Sequence, residues 1–289
     1  MSKKAISILL VLSVLTVLAV GCGGQQATEQ TEEQQAQKKE TEQQETTEPQ
    51  KAGGTYYGRL ASDPPDLDPA HTTDTTSSRV VNNIFDGLVK FNKNLEVIPA
   101  LAEDWEVNEE GTVWTFHLRE GAKFHNGDEV TAQDVVYSYT RLLDPDTKSE
   151  RAWLFERVKG AKAFQDGKTD QVEGLKATDD YTVKITLAEP FAPFLSMLCM
   201  SNAAVVPEDV VKEKGEDFAQ NPVGAGPFEF VSLKHDSEVV LKKNEDYYEE
   251  GKPYLDKVVY RVITEGTSAL PEYEQGNIYQ MDSDIPQGQ

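Results

Sequence analysis

The stretch from residue 99 to 147 constrains the fold of this chain more than any other. Trp114, Phe116 and Leu118 alternate with Val113, Thr115, His117 and Arg119, the period of two shown by a strand that buries one face. All three members of the apolar set are expected to point inward. Upstream, AEDWEV and the turn from Asn108 to Gly111 read as the other arm of a hairpin, with Gly111 free to take the positive φ that such turns often need. A second turn follows at Asn126 and Gly127. Thr131 is then placed to cap a helix, and Asp134, three residues on, completes a pattern like a capping box. Val135, Tyr139, Leu142 and Leu143 fall on one helical face, and the helix is expected to stop before Asp144 and Pro145. The residues alone describe a half-buried hairpin packed on a helix and name no function.

Residues 1–22 read as a targeting segment. Lys3 and Lys4 precede an apolar run from Ala5 to Val20 that ends in Gly21 and Cys22. Small residues directly before a Cys resemble the lipobox of bacterial lipoproteins. That resemblance implies a lipid on the Cys22 thiol, cleavage after Gly21 and acylation of the new amine. A plain secreted signal peptide or an uncleaved anchor are the alternatives, and Ala19 stands where Leu is more usual. Two or more acyl chains hold a protein stably at a membrane, where one holds it only marginally. Residues 23–53 contain nine Gln, seven Glu and three Lys without an aromatic. Such a segment cannot bury enough surface to offset chain entropy, so a disordered tether is expected, with a stiffer solvated helix as the alternative.

The whole chain has 28 Lys plus Arg against 50 Asp plus Glu and a formal net charge of −22. This balance argues against nucleic acid and anionic membrane surfaces as partners. Its 289 residues suggest about two domains. The sequence shows no GxSxG elbow, HExxH, P-loop or CxxC, and its four histidines have no metal-ligand spacing. No catalytic residue, metal site or cofactor is therefore expected. Asp63, Asp66, Asp68 and Asp74 lack the ligand alternation of a calcium loop and read as solvated turn carboxylates. Cys199, the only cysteine besides Cys22, reads as a small buried hydrophobe.

Further elements follow the same rules. TYYGRL opens the body as a strand, and Pro64, Pro65 and Pro69 then enforce an extended path. Ser78 is expected to cap a helix with Val81, Ile84, Phe85 and Leu88 on one face. Tyr181, Val183, Ile185 and Leu187 mark another strand, Phe194 to Met200 an apolar helix, and Pro207 to Lys214 a helix closed by Gly215. In NPVGAGPFEF, Gly224 and Gly226 allow close backbone approach and unusual dihedrals. Such a pair marks a tight loop more often than a site.

The order PALAEDWEV, turn, WTFHLREGAKFHNGDEVTAQDVVYSYTRLLDP closely resembles the signature region of the family 5 extracellular solute-binding proteins. These are the lipoprotein or periplasmic receptors of oligopeptide, dipeptide and nickel ABC importers, and the resemblance extends over residues 54 to 285. It implies an α/β fold of the two-lobed, periplasmic-binding-protein-like, large peptide-binding type, with the second lobe missing. Residues 54–86 and 211–275 would build the first lobe, residues 87–210 an additional domain inserted in it, and residues 276–289 the start of the crossing to the second lobe. Carried over residue by residue, Thr73, Asp74 and Thr75 would line the ligand cleft together with the loop at Ala225 and Gly226. Arg151 stands where many oligopeptide receptors place an aromatic. It either faces the cleft, where it can pair with a ligand carboxylate, or is a solvated helix-start residue. The partners implied are a peptide ligand and the permease and ATPase subunits of an ABC importer, with the membrane reached only through lipid at Cys22. A nickel-chelate or other small-solute receptor, and a lipoprotein with a sensing or partner-binding role, are the competing readings.

Overall fold

The computed structural model describes residues 52–281 and residue 285. The expected leader, Cys22 and nearly all of the Gln/Glu-rich tether lie outside the described residues. The first sheet contains β1 (Thr55–Leu60), β8 (Phe228–Lys234), β9 (Glu238–Lys243) and β10 (Lys257–Val262), in the order β1-β10-β9-β8. β1 runs parallel to β10, and the other pairs are antiparallel. Against it pack α1 (Thr75–Ile84) and α5 (Glu208–Lys214). Leu60, Val81, Ile84, Phe218, Leu241 and Tyr260 belong to one apolar cluster there.

A second sheet, in the order β4-β5-β7-β6, comprises β4 (Ala102–Val107), β5 (Val113–Leu118), β6 (Leu175–Asp179) and β7 (Thr182–Thr186). All of its pairs are antiparallel. A small ribbon of β2 (Val89–Phe91) and β3 (Val97–Pro99) precedes it, and α2 (Ala132–Leu143) covers it. Phe116, Tyr139, Phe155 and Phe194 fill the core between, with Tyr139 stacked on Phe155 at 4.2 Å between ring centroids. The remaining helices are short: α3 (Ala161–Gln165), α4 (Phe194–Met197) and α6 (Gly266–Glu274). Among the described residues no helix is long and apolar enough to cross a membrane.

Local chemistry explains the hairpin and helix that the sequence made legible. In the β4–β5 turn, Gly111 has φ 69°, and the Asn108 carboxamide oxygen accepts the amides of Thr112 and Val113 at 2.8 and 2.9 Å. Phe116 and Leu118 are buried, whereas Trp114 is only half-buried near the hairpin end. On α2, the Asp134 carboxylate accepts the Thr131 amide at 2.9 Å and completes the capping box. Val135, Tyr139, Leu142 and Leu143 are all buried.

Three local expectations are corrected. α1 begins four residues earlier than a cap at Ser78 implies, because Asp74 caps it by accepting the Ser77 amide at 2.8 Å. In a run of candidate caps, the charged acceptor takes the position that leaves Ser78 free to donate to the Asp74 carbonyl at 2.7 Å. The apolar helix after Pro193 is a single turn, Phe194–Met197. Cys199 is only half-buried at the edge of the core, where burial still pushes its thiol up to about 11.

Candidate functional site

Residues 66–74 form an arch between β1 and α1, and its backbone is held by side chains from sequence far downstream. Asp68, 3% exposed, receives the Arg141 guanidinium on both carboxylate oxygens, Nη1 to Oδ1 at 2.8 Å and Nη2 to Oδ2. The Asp68 Oδ1 atom also accepts the Ala70 amide at 2.9 Å. Burial disfavours the Arg141 charge, yet the bonded Asp68 carboxylate prevails and holds its pKa above the ordinary guanidinium value. Asp68 is thus a buried ion-pair partner and not a solvated turn carboxylate, which corrects the sequence expectation. Asp66 departs from it too, since burial raises its pKa.

Two more side chains complete the support. Asn202 Nδ2 donates to the carbonyls of Pro69 at 2.6 Å and Thr72 at 2.8 Å, and Ser149 Oγ donates to that of Ala70 at 2.6 Å. Arg141, Asn202 and Ser149 escaped the sequence reading because each sits more than 70 residues from the carbonyl or carboxylate it holds. Nothing local marks them.

At the end of this arch the structure gathers four of the expected site residues. Thr73 and Thr75 are exposed on either side of the cap residue Asp74. Arg151 lies against them, with Nε 3.3 Å from the Thr72 carbonyl oxygen and Nη2 2.7 Å from that of Thr73. The Arg151 amide itself donates to Ser149 Oγ at 3.1 Å. The guanidinium is therefore oriented by backbone, with only two of its five N–H groups engaged in these bonds. Asp74 Oδ1 serves the cap, while Oδ2 is buried without a hydrogen-bond partner.

Ala225 and Gly226 do not join this group. Ala225 has no exposed surface, and the Gly226 amide donates to the Ile84 carbonyl at 2.9 Å. Their loop thus packs on the C-terminal end of α1, roughly 14 Å of helix away from Thr75 at 1.5 Å per residue. A methyl group at Gly224 would stand 2.2 Å from the Ile84 oxygen, so the glycines serve close approach between backbones. Neither has a positive φ.

Residues 96–288 match the family described as bacterial extracellular solute-binding proteins, family 5 Middle. The dipeptide-binding protein DppE of Bacillus subtilis is 34% identical over 228 residues, 77% of this chain and 41% of that protein. The substrate-binding domain of an oligopeptide ABC transporter from Bacillus anthracis superposes with a TM-score of 0.75 at 34% identity, covering 78% of this chain and 44% of the other. The Listeria monocytogenes OppA structure bound to peptide gives a TM-score of 0.73 at 32% identity, over 78% and 45% respectively. The chain therefore spans less than half the length of these relatives, and its mixed α/β architecture is part of the periplasmic peptide-binding-protein fold. On this evidence the chain belongs to family 5 of the bacterial extracellular solute-binding proteins.

Proposed function

We propose that the chain supplies the first lobe and inserted domain of the substrate-binding component of an ABC importer, and that it captures extracellular peptides. The observation that carries this reading is the likeness over 78% of the chain to a relative solved with a peptide bound. In this reading residues 54–86 and 211–275 form the first lobe, and residues 87–210 the inserted domain. Thr73, Asp74, Thr75 and Arg151 line the first-lobe side of the cleft. A peptide offers a repeating backbone that exposed hydroxyls and backbone groups can satisfy, and roomy side-chain pockets then permit broad uptake. Closure of a second lobe over the ligand would present the liganded shape to the permease.

Arg151 gives the reading a residue-level test. Its guanidinium is already aligned by the Thr72 and Thr73 carbonyls, so pairing with a ligand carboxylate costs little further ordering of the side chain. A charge-assisted hydrogen bond contributes about 1.5–3 kcal/mol. Calorimetry on the chain completed with a second lobe should therefore show Arg151→Ala weakening short or acidic peptides about tenfold to a hundredfold, with long neutral peptides less affected. Binding of nickel chelates without any peptide binding would overturn the assignment.

The second part of the proposal is membrane attachment through lipid at Cys22, which rests on the Lys3/Lys4 start and the Gly21/Cys22 end of the leader. Expressed in a bacterium, the protein should enter the detergent phase on phase separation, and Cys22→Ser should move it to the aqueous phase. If the variant partitions like the parent, the anchor is not at Cys22.

A further inference from the structure

A cavity of about 300 Å³ lies at the opposite end of α1 from Arg151, between Phe85–Phe91 and the segment from Leu198 to Ala204. Phe85, Val89, Leu198 and Met200 give it apolar walls. Its backbone frame is fixed, since the Val205 amide donates to the Asp86 carbonyl at 3.0 Å and Gly87 pairs with Ala204. Asp86 lines this cavity although only 8% of its surface is exposed. The hydroxyls of Tyr247 and Tyr248 both donate to Oδ2, at 2.7 and 2.8 Å. No hydrogen bond from a described residue reaches Oδ1, which is the acceptor Asp86 has left to offer.

The nearby cation does not satisfy it. Lys90 Nζ donates to Tyr247 Oη at 3.0 Å and to the Glu249 carboxylate. Lys252 Nζ also donates to Glu249, at 2.5 Å, so that carboxylate is paired on both oxygens, whereas the hydrogen bonds to the Asp86 carboxylate from described residues come from the two hydroxyls alone. Burial raises the Asp86 pKa, against the opposing pull of Lys90 and the two tyrosine hydroxyls. A cation at Oδ1 would relieve that cost.

From these features we propose a small-molecule site, separate from the peptide cleft, that binds a primary amine carrying an apolar group. The ammonium would donate to Asp86 Oδ1, and the apolar group would fill the space against Phe85, Leu198 and Met200. A cavity of about 300 Å³ is at the lower end of the range for small-molecule sites, which suits a small ligand. A cavity in which apolar walls meet convergent polar groups, here Asp86 beside Phe85, Leu198 and Met200, is the usual form of such a site.

Phenethylamine is a suitable probe, compared with 2-phenylethanol, which has the same shape without the charge. The Cys22→Ser chain leaves Cys199, which lines the cavity, as the single thiol. Calorimetry should show the amine binding about tenfold more tightly than the alcohol, as expected for a charge-assisted hydrogen bond. Saturating amine should slow labelling of Cys199. Asp86→Asn keeps an acceptor oxygen for the two tyrosines and should abolish the preference for amine over alcohol. Asn82→Trp, at the exposed rim, should weaken both probes without touching the core. Equal binding of amine and alcohol, an unchanged preference in Asp86→Asn, or labelling of Cys199 that saturating amine does not slow would each overturn the proposal. None of these outcomes depends on whether the chain binds peptides.

Discussion

Asp68→Ala should destabilise the protein by about 3–5 kcal/mol, the usual cost of stranding one partner of a buried ion pair. The side chains of Arg141 and Asp68 are 14% and 4% exposed, so neither charge regains water when the other is removed. The substitution also deletes the acceptor of the Ala70 amide, and an unsatisfied buried donor adds to the loss. Chemical denaturation of the purified chain measures the effect as a lower midpoint at unchanged slope. Lys162→Ala is the matching control. It breaks the pair with Asp166, whose lysine side chain is 80% exposed, and should unfold close to the parent because exposed pairs contribute little. The double variant Asp68→Ala/Arg141→Met should recover much of the loss, since no charge is left stranded. If Asp68→Ala unfolds no earlier than the control, the arch at 66–74 is not held by this pair.

The contrast between what the sequence revealed and what it concealed follows sequence separation. The β4–β5 hairpin and α2 were readable because their causes are local: Gly111 at the turn, Thr131 and Asp134 three residues apart, and an apolar stripe at helical spacing. The expected glycine-mediated close approach near Ala225 was likewise readable, but its partner was not. Gly226 meets Ile84, some 140 residues earlier in the chain. The parallel pairing of β1 with β10 joins Thr55 to Lys257, and neither strand carries a mark of the other. The misreading of Asp68 has the same origin. A carboxylate in a proline-rich turn looks solvated until an arginine 73 residues away is folded onto it. In the candidate site, Thr73, Asp74 and Thr75 were placed by resemblance and are contiguous in the chain. That Arg151 reaches their backbone emerges only when α2 and the turn after it pack beneath the arch.

Gly224→Ala separates packing from ligand contact at the other end of α1. The added methyl would stand 2.2 Å from the Ile84 oxygen and 2.9 Å from the Ile84 carbon. Both are backbone atoms at the last turn of a helix, so they cannot swing aside as a side chain can, and the cost should reach the upper part of the 1–3 kcal/mol typical of overpacking, about 3 kcal/mol. A histidine clamp is strained with it. His125 donates its amide to the Gly224 carbonyl at 2.8 Å, and its ring accepts the Gly224 amide on Nδ1 at 3.3 Å. The ring also lies 3.0 Å from the Gly226 carbonyl through Nε2, which assigns the neutral tautomer with the proton on Nε2. Burial lowers the His125 pKa, with the Gly226 bond opposing. A lowered folded-state value means that the unfolded chain takes up the proton first. The clamp's contribution is therefore complete above the ordinary histidine value of about 6.5 and declines as pH falls below it. Thermal unfolding across pH 5 to 8 should show this decline in the parent, and Gly224→Ala should lower the melting temperature at every pH while flattening the dependence. A variant that melts like the parent yet binds peptide more weakly would return the loop to the ligand cleft, because only a direct contact changes affinity without changing stability.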